Sequence, residues 1–150
     1  MKPQLKITKA ELLAFNPCSE GRKFIAKRSL KNAWLKCSDP QWMIWELSKF
    51  GLWDERLART FAIKCAEHTL HLFEEKYPDD KRPRLALQAA QDFQDGKISN
   101  EARSAARSAA ESAAQSAAWS AAWSAVEEES KWQADTLRTL INPFKKHALK

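Results

Sequence analysis

The sequence predicts an all-α protein, and three observations support this fold class. Glycine and proline, which interrupt regular structure, occur only 3 and 6 times in 150 residues. Valine occurs once, at Val126, so β-branched residues are too scarce for an extensive sheet. Apolar residues make up 44% of the chain, and many recur at three- and four-residue steps, as on the buried face of a helix.

Capping residues place the first three predicted helices. Thr8 and Glu11 have the spacing of a capping box, so a helix should begin directly after Thr8. Asp39 followed by Pro40 is typical of another helix start, because proline fits the first helical turn. The first three predicted helices run from about residue 9 to Phe15, from Ser19 to Leu35, and from Gln41 to Phe50.

The other three predicted helices lie between Asp54 and Asn142. Asp54 and Ser99 are suitable N-caps, and Pro83 fits the first turn of a helix between them. The predicted helices run from Glu55 to about Lys76, from Arg82 to about Gly96, and from Ser99 to about Asn142. The apolar face of the first of these comprises Leu57, Phe61, Cys65, Leu72 and Phe73. We therefore expect about six helices in a single domain, packed around the long C-terminal one.

An alanine–serine array occupies much of that last helix. From Arg103 a four-residue unit with one variable position repeats six times. Four residues advance an α-helix by about 400°, so the variable position drifts by about 40° per unit. Charged residues such as Arg107 and Glu111 can then face solvent while Trp119 and Trp123 face the core or a partner. The array is either a closely packed central helix or an exposed recognition rod.

The net charge of +6 comes from the N-terminal part of the chain. Residues 1–36 hold nine basic and two acidic residues, a net +7, whereas the other 114 hold 16 basic and 17 acidic, a net −1. Five of the basic residues form a cluster that could neutralise nucleic-acid phosphates or meet an acidic protein surface. This basic cluster consists of Arg22, Lys23, Lys27, Arg28 and Lys31. We expect Lys23, Lys27 and Lys31 to share one helix face.

Membrane insertion and secretion are not expected. The chain contains no apolar run of about 20 residues, and residues 1–4 lack a hydrophobic signal core. Cys18, Cys37 and Cys65 are an odd number without paired spacing, which is typical of reduced thiols in the cytoplasm.

Catalytic and metal-binding patterns are weak. Cys65, His68 and His71 follow one another at three-residue steps, but one helix supplies no fourth ligand and no second Cys/His pair completes a zinc site. The chain has no glycine-rich phosphate loop, and no serine or cysteine has an evident base to activate it. We expect no metal, no cofactor and no enzymatic activity, with a buried Cys65 thiol and two partly exposed histidines.

Two other groups of residues are candidates for partner binding. Trp119 and Trp123 belong to the seven tryptophans of the chain, and tryptophan is frequent at binding hot spots. Glu127, Glu128 and Glu129 follow one turn later and could meet a basic partner. The alternative is that the tryptophans fill the core and the glutamates are solvated surface.

The segment from Thr60 to Ser99 carries a family pattern. It contains FAIKCAEH at residues 61–68, LFEEKYPDDKRPR at residues 72–84 and ALQAA at residues 86–90. Together with the array, it resembles the immunity proteins associated with bacterial polymorphic toxins. In that family a cysteine–alanine–glutamate helix precedes a Pro-x-Asp-x-Arg-Pro-Arg turn, an alanine-rich helix and an alanine array. Residues 54–142 would form the helical core that resembles this family, and the basic segment 1–36 has no counterpart in it.

The turn of this pattern has a physical explanation. Asp80 can accept hydrogen bonds from the amides that follow it, and Arg82 and Arg84 can pair with preceding acids. These roles fix two helices and do not create a reactive site.

The resemblance implies an all-helical inhibitor that neutralises a toxin by binding it directly. The array differs from those of relatives that carry histidines there, because it has Trp119 and Trp123 followed by glutamates. A phage-encoded inhibitor of a bacterial defence effector is therefore a variant of this hypothesis. A nucleic-acid-binding protein using the basic cluster is the alternative, and an enzyme based on Cys65, His68 and His71 ranks third. Self-association stays open.

Overall fold

The computed structural model describes residues 7–105 and 126–144, and its regular structure there is entirely α-helical. The predicted all-α class is confirmed, although these residues contain eight helical segments where six were expected. The helices are α1 (Lys9–Ala14), α2 (Ser19–Ala26), α3 (Leu30–Lys36), α4 (Pro40–Lys49), α5 (Glu55–Lys76), α6 (Arg82–Gln94), α7 (residues 100–105) and α8 (Val126–Leu140). Most of the alanine–serine array lies outside the described residues, so the packing of other helices around it stays a prediction.

The chain divides into two compact units. The first consists of Met1–Leu57 and Glu127–Lys150, and the second of Ala58–Val126. The first unit contains the four N-terminal helices and nearly all of α8. The second contains most of α5, together with α6 and α7.

Side-chain caps begin the helices where the sequence predicts them. Thr8 Oγ1 accepts a hydrogen bond from Glu11 N at 3.2 Å, and Glu11 Oε2 accepts one from Thr8 N at 2.6 Å, which completes the capping box. The hydrogen bonds that Thr8 N and Thr8 Oγ1 donate to Glu11 Oε2 lower the pKa of Glu11. Asp39 Oδ1 accepts from Gln41 N at 2.8 Å, and Asp54 Oδ1 accepts from Leu57 N at 2.7 Å. Such caps contribute about 1 kcal/mol each.

The predicted single helix from Ser19 to Leu35 is wrong. The structure has two helices, α2 and α3, separated by residues 27–29. Ser29 lies at this division and caps α3, because its Oγ accepts a hydrogen bond from Asn32 N at 3.2 Å. Lys31 therefore lies on a different helix from Lys23, and the expected single basic face does not form.

The core of the first unit combines side chains from α1, α3, α4 and α8. The largest fully buried side chains are Leu12, Trp34, Met43, Leu47 and Leu137. Burying an aliphatic side chain of this size contributes about 1.5–3 kcal/mol. The core is therefore built by residues that are far apart in the sequence.

Arg138 joins α8 to the end of α3. Its Nε donates to the carbonyl oxygen of Trp34 at 3.1 Å, and its Nη2 donates to that of Cys37. A positively charged group that binds the last carbonyl oxygens of a helix also interacts favourably with the helix dipole.

Candidate functional site

Two arginine–carboxylate pairs hold the turn between α5 and α6. Arg84 donates from Nε and Nη2 to the two carboxylate oxygens of Glu74, at 2.5 and 2.6 Å. Arg82 donates from Nε and Nη2 to Asp80 at 2.9 and 2.6 Å, and its backbone N–H donates to the same carboxylate at 3.1 Å. The predicted pairing of both arginines with preceding acids is confirmed.

These two ion pairs contribute more to the relative orientation of α5 and α6 than to the free energy of unfolding. The hydrogen bonds from Arg82 lower the pKa of Asp80 to about 2, and those from Arg84 lower the pKa of Glu74. Solvent screens the charges, because the Arg82 and Arg84 side chains are 54% and 58% exposed. The bidentate pair nevertheless fixes α5 against the start of α6, because planar guanidinium and carboxylate groups match in one orientation.

Three large apolar side chains near this turn face solvent. Leu72 is 43% exposed, Tyr77 37% and Leu85 63%. No residue of α6 is buried, so Leu85 adds little to a core. We call Leu72, Tyr77 and Leu85 the hairpin surface. Single exposed apolar side chains are common on protein surfaces, and Phe15 and Leu35 of the first unit are exposed to a similar extent, at 48% and 47%.

The other end of α6 is also tied to its neighbours. Gln94 Nε2 donates to Thr60 Oγ1 on α5 at 2.8 Å. The Cζ atoms of Arg59 and Arg103 lie 4.7 and 4.6 Å from the centroid of the Phe93 ring, within the range of a cation–π interaction. The α5–α6 hairpin is thus fixed at both ends.

The predicted acidic partner-binding residues are described only in part. Glu128 is exposed, and half-buried Glu129 accepts a hydrogen bond from Gln133 Nε2 at 2.9 Å. Both lie at the start of the described part of α8. Trp119, Trp123 and the Glu127 side chain lie outside what the structure describes.

Most of the basic cluster is engaged within the chain. Arg22 Nη2 donates to Asn16 Oδ1 at 3.1 Å, Lys23 Nζ pairs with Glu20 at 3.0 Å, and Arg28 Cζ lies 4.1 Å from the centroid of the Phe24 ring.

The other two members, Lys27 and Lys31, are exposed and make no side-chain bond to the described residues. The surface available to phosphates is therefore smaller than the sequence indicates.

Cys65, His68 and His71 do not form a metal centre with other described residues. Within residues 7–105 and 126–144, no group of three or more His, Cys, Asp or Glu side chains could hold a metal ion. Cys65 and His68 are half-buried and His71 is exposed. The expected burial of the Cys65 thiol is thus only partial. Within the same residues, no helix is long and apolar enough to cross a membrane.

The sequence did not identify a cavity in the first unit. Residues of α2, α3, α4 and the loop before α2 enclose about 270 Å³. Glu46 lines this cavity and is only 7% exposed. The sequence contained one signal that Glu46 lies on the buried face of α4, because it follows Met43 by one helical turn and adjoins Leu47. In the structure both of these neighbours are fully buried.

Comparison with protein families identifies the second unit. A family model described as Imm-5 like putative immunity protein matches residues 49–127, which is more than half of the 150 residues. The chain belongs to this immunity-protein family. No curated protein matches the chain, and no solved structure matches it.

The immunity-protein match divides the candidate residues into two groups. It contains the whole second unit with the hairpin surface, and it also contains Trp119, Trp123 and Glu127. It excludes the basic cluster and the residues around the cavity. Glu128 and Glu129 follow its last residue directly. The family relationship therefore applies to the hairpin and the array, and not to most of the first unit.

Proposed function

We propose that this chain neutralises a protein toxin by binding it directly, without catalysing a reaction. The observation that carries the proposal is the immunity-protein match over residues 49–127. A protein that acts by occlusion needs a rigid surface that is formed before its partner arrives, because pre-organisation reduces the entropy lost on binding. The α5–α6 hairpin meets this requirement, since ion pairs fix its turn and polar contacts fix its other end.

Two sets of residues are proposed to contact the toxin. The first is the hairpin surface, in which Leu85 is the most exposed large apolar side chain among the described residues. The second comprises Trp119, Trp123 and the glutamates at positions 127–129, which would meet apolar and basic groups of the toxin. An apolar contact surrounded by charge is the usual composition of a protein interface.

Co-expression with the toxin encoded beside its gene tests the proposal. We expect the two chains to co-purify in a fixed ratio and the toxin-expressing cells to grow. Titrating purified chain against toxin activity then separates binding from catalysis. Inhibition by occlusion should saturate at a stoichiometric ratio, whereas protection that continues at about one chain per ten toxin molecules would indicate turnover. Absence of both complex and rescue would contradict the proposal.

The acidic residues are tested by charge reversal. The triple variant Glu127→Lys, Glu128→Lys, Glu129→Lys should bind the toxin less tightly while its helical circular dichroism stays unchanged. Glu67→Lys, at an exposed position of α5 away from Leu72, is the control and should bind normally. Equal binding by both variants would assign the three glutamates to solvated surface.

Nucleic-acid binding is a second candidate, favoured by Lys27 and Lys31, which are exposed and make no side-chain bond to the described residues. A salt titration decides it, because binding that neutralises phosphates weakens steeply with ionic strength. Retention on nucleic acid at about 50 mM salt, lost in a Lys27→Glu, Lys31→Glu double variant, would support this candidate. No retention at that concentration would remove it.

The same mode of action suits a phage protein that blocks a bacterial defence effector in the cytoplasm. Gene neighbourhood distinguishes the two settings. A toxin gene next to this gene supports immunity, and phage structural or anti-defence genes support the variant.

A further inference from the structure

The cavity of the first unit runs from the surface into the core. Asn16, Cys18 and Gln41 on its rim are exposed, whereas Ala33, Cys37 and Glu46 deeper in it are buried. A small molecule can therefore enter from solvent and reach buried side chains.

Glu46 is unusual among the residues that line this cavity. Among the described residues, it is the only charged side chain on the lining, and its Oε1 is buried without a hydrogen-bond partner there. A buried polar atom without a partner costs about 1–3 kcal/mol, or more if charged. This cost makes the oxygen a strong acceptor for any donor that enters the cavity.

Aromatic rings form much of the remaining wall. Phe24, Trp42 and Trp45 line the cavity, and the centroids of the Phe24 and Trp42 rings lie 5.7 Å apart. Aromatic faces attract cations through their quadrupoles, and a carboxylate beside them adds direct charge pairing. The wall thus combines the two features that select a positively charged organic group.

Two nearby cations already lie close to rings of this wall, but neither of them pairs with Glu46. The guanidinium of Arg28 lies over Phe24 and donates to the carbonyl oxygen of that residue. The Lys49 ammonium lies 5.2 and 5.8 Å from the centroids of the Phe15 and Trp45 rings, and Arg138 binds carbonyl oxygens at the end of α3. None of them donates to Glu46.

We propose that this cavity binds a small organic cation, an ammonium group on an apolar or aromatic body, with Glu46 Oε1 accepting its N–H. The volume of about 270 Å³ limits the ligand to a small molecule, since an engineered cavity of about 150 Å³ holds one benzene. The site lies outside the immunity-protein match, so the proposal is independent of toxin binding.

Benzylamine is a suitable probe, and benzyl alcohol is its neutral control. We expect benzylamine to shift the indole N–H resonances of Trp42 and Trp45 in a saturable manner. Glu46→Gln should weaken this binding at least about tenfold at pH 8, because an amide offers no charge to the ammonium. Benzyl alcohol should bind more weakly than benzylamine to the wild-type chain and equally to both chains.

The pH dependence provides a second readout that needs no variant at position 46. Burial raises the pKa of Glu46 to about 7, so benzylamine affinity should rise between about pH 6 and about pH 8 as the carboxyl loses its proton. The other titratable groups facing Glu46 are Cys37, whose pKa burial raises, and Cys18 on the rim. The basic side chains near the cavity are Arg28, Lys49 and Arg138. Cys18→Ser should leave the profile unchanged.

Three results would overturn the proposal. In the first, benzylamine shifts neither indole resonance. In the second, the wild-type chain binds benzyl alcohol and benzylamine with equal affinity. In the third, a Glu46→Gln chain that melts cooperatively binds benzylamine as tightly as the wild-type chain does. The first would indicate a cavity filled by water, and the second an apolar cavity without selectivity for charge.

Discussion

The two units differ in the number of apolar side chains that they bury. The first unit contains the N-terminal helices and α8, and the second contains the α5–α6 hairpin. Ten of the fourteen buried apolar side chains among the described residues lie in the first unit, including the five largest that are fully buried. The second unit contributes Phe61, Ile63, Leu70 and Phe73, all from α5. The immunity-protein match covers the unit with fewer buried side chains. Among the described residues, most of the buried core therefore lies in the first unit, whereas the surface proposed to contact a partner lies in the second.

A matched pair of leucine substitutions tests this contrast and should show the largest effect. Leu47 is fully buried in the first unit and Leu85 is 63% exposed in the second. Leu47→Ala should reduce the free energy of unfolding by about 2–5 kcal/mol, because it leaves a cavity in the core. Leu85→Ala should change it by no more than about 0.5 kcal/mol. Urea denaturation followed by circular dichroism measures both, and similar losses would contradict the contrast.

The pH dependence of stability tests the buried carboxyl of the first unit and should show the next largest effect. The pKa of Glu46 is raised from 4.5 to about 7 in the folded chain, so the folded chain holds this proton at pH values where the unfolded chain has released it. Stability should fall by up to about 3 kcal/mol as pH rises from about 4.5 to about 7 and should lose no more above that range. Urea denaturation at several pH values measures this loss.

A variant assigns the effect to one residue. Glu46→Gln should abolish most of the loss of stability between those pH values, whereas Glu128→Gln, at an exposed position, should leave it. A loss that persists in the Glu46→Gln chain would assign it to other groups.

Removing one helix cap should have the smallest effect on stability. This change tests how far the short helices of the first unit depend on local hydrogen bonds. Ser29 Oγ begins α3, so Ser29→Ala should cost about 1 kcal/mol of unfolding free energy. Ser38→Ala is the control, because Ser38 is exposed and lies between two helices. Thermal melts of the two variants give the difference, and equal melting temperatures would mean that tertiary packing alone separates α2 from α3.

Features of the fold that depend on neighbouring residues were predictable from the sequence. The caps at Thr8, Asp39 and Asp54, and the ion pair between Asp80 and Arg82, follow from the short-range spacing of donors and acceptors. The division at Ser29 was missed, since serine is compatible with a helix interior as well as with a cap.

Features that depend on packing were less predictable. Leu72 was placed on the buried face of α5 but is 43% exposed, whereas Ile63 and Leu70 are buried instead. The cavity beside Glu46 could not be derived from the sequence, because its walls come from three helices whose arrangement no local pattern specifies. The hairpin surface was missed for the same reason.

The central claim is that the hairpin carries a contact surface for the toxin and that the basic cluster does not. The affinities of two variants for the toxin test this claim most directly. Titration calorimetry would compare Leu85→Asp with Lys31→Glu, both at exposed positions. We expect Leu85→Asp to weaken binding at least about tenfold and Lys31→Glu to bind as the wild-type chain does. Loss of affinity in Lys31→Glu with normal binding by Leu85→Asp would contradict the claim.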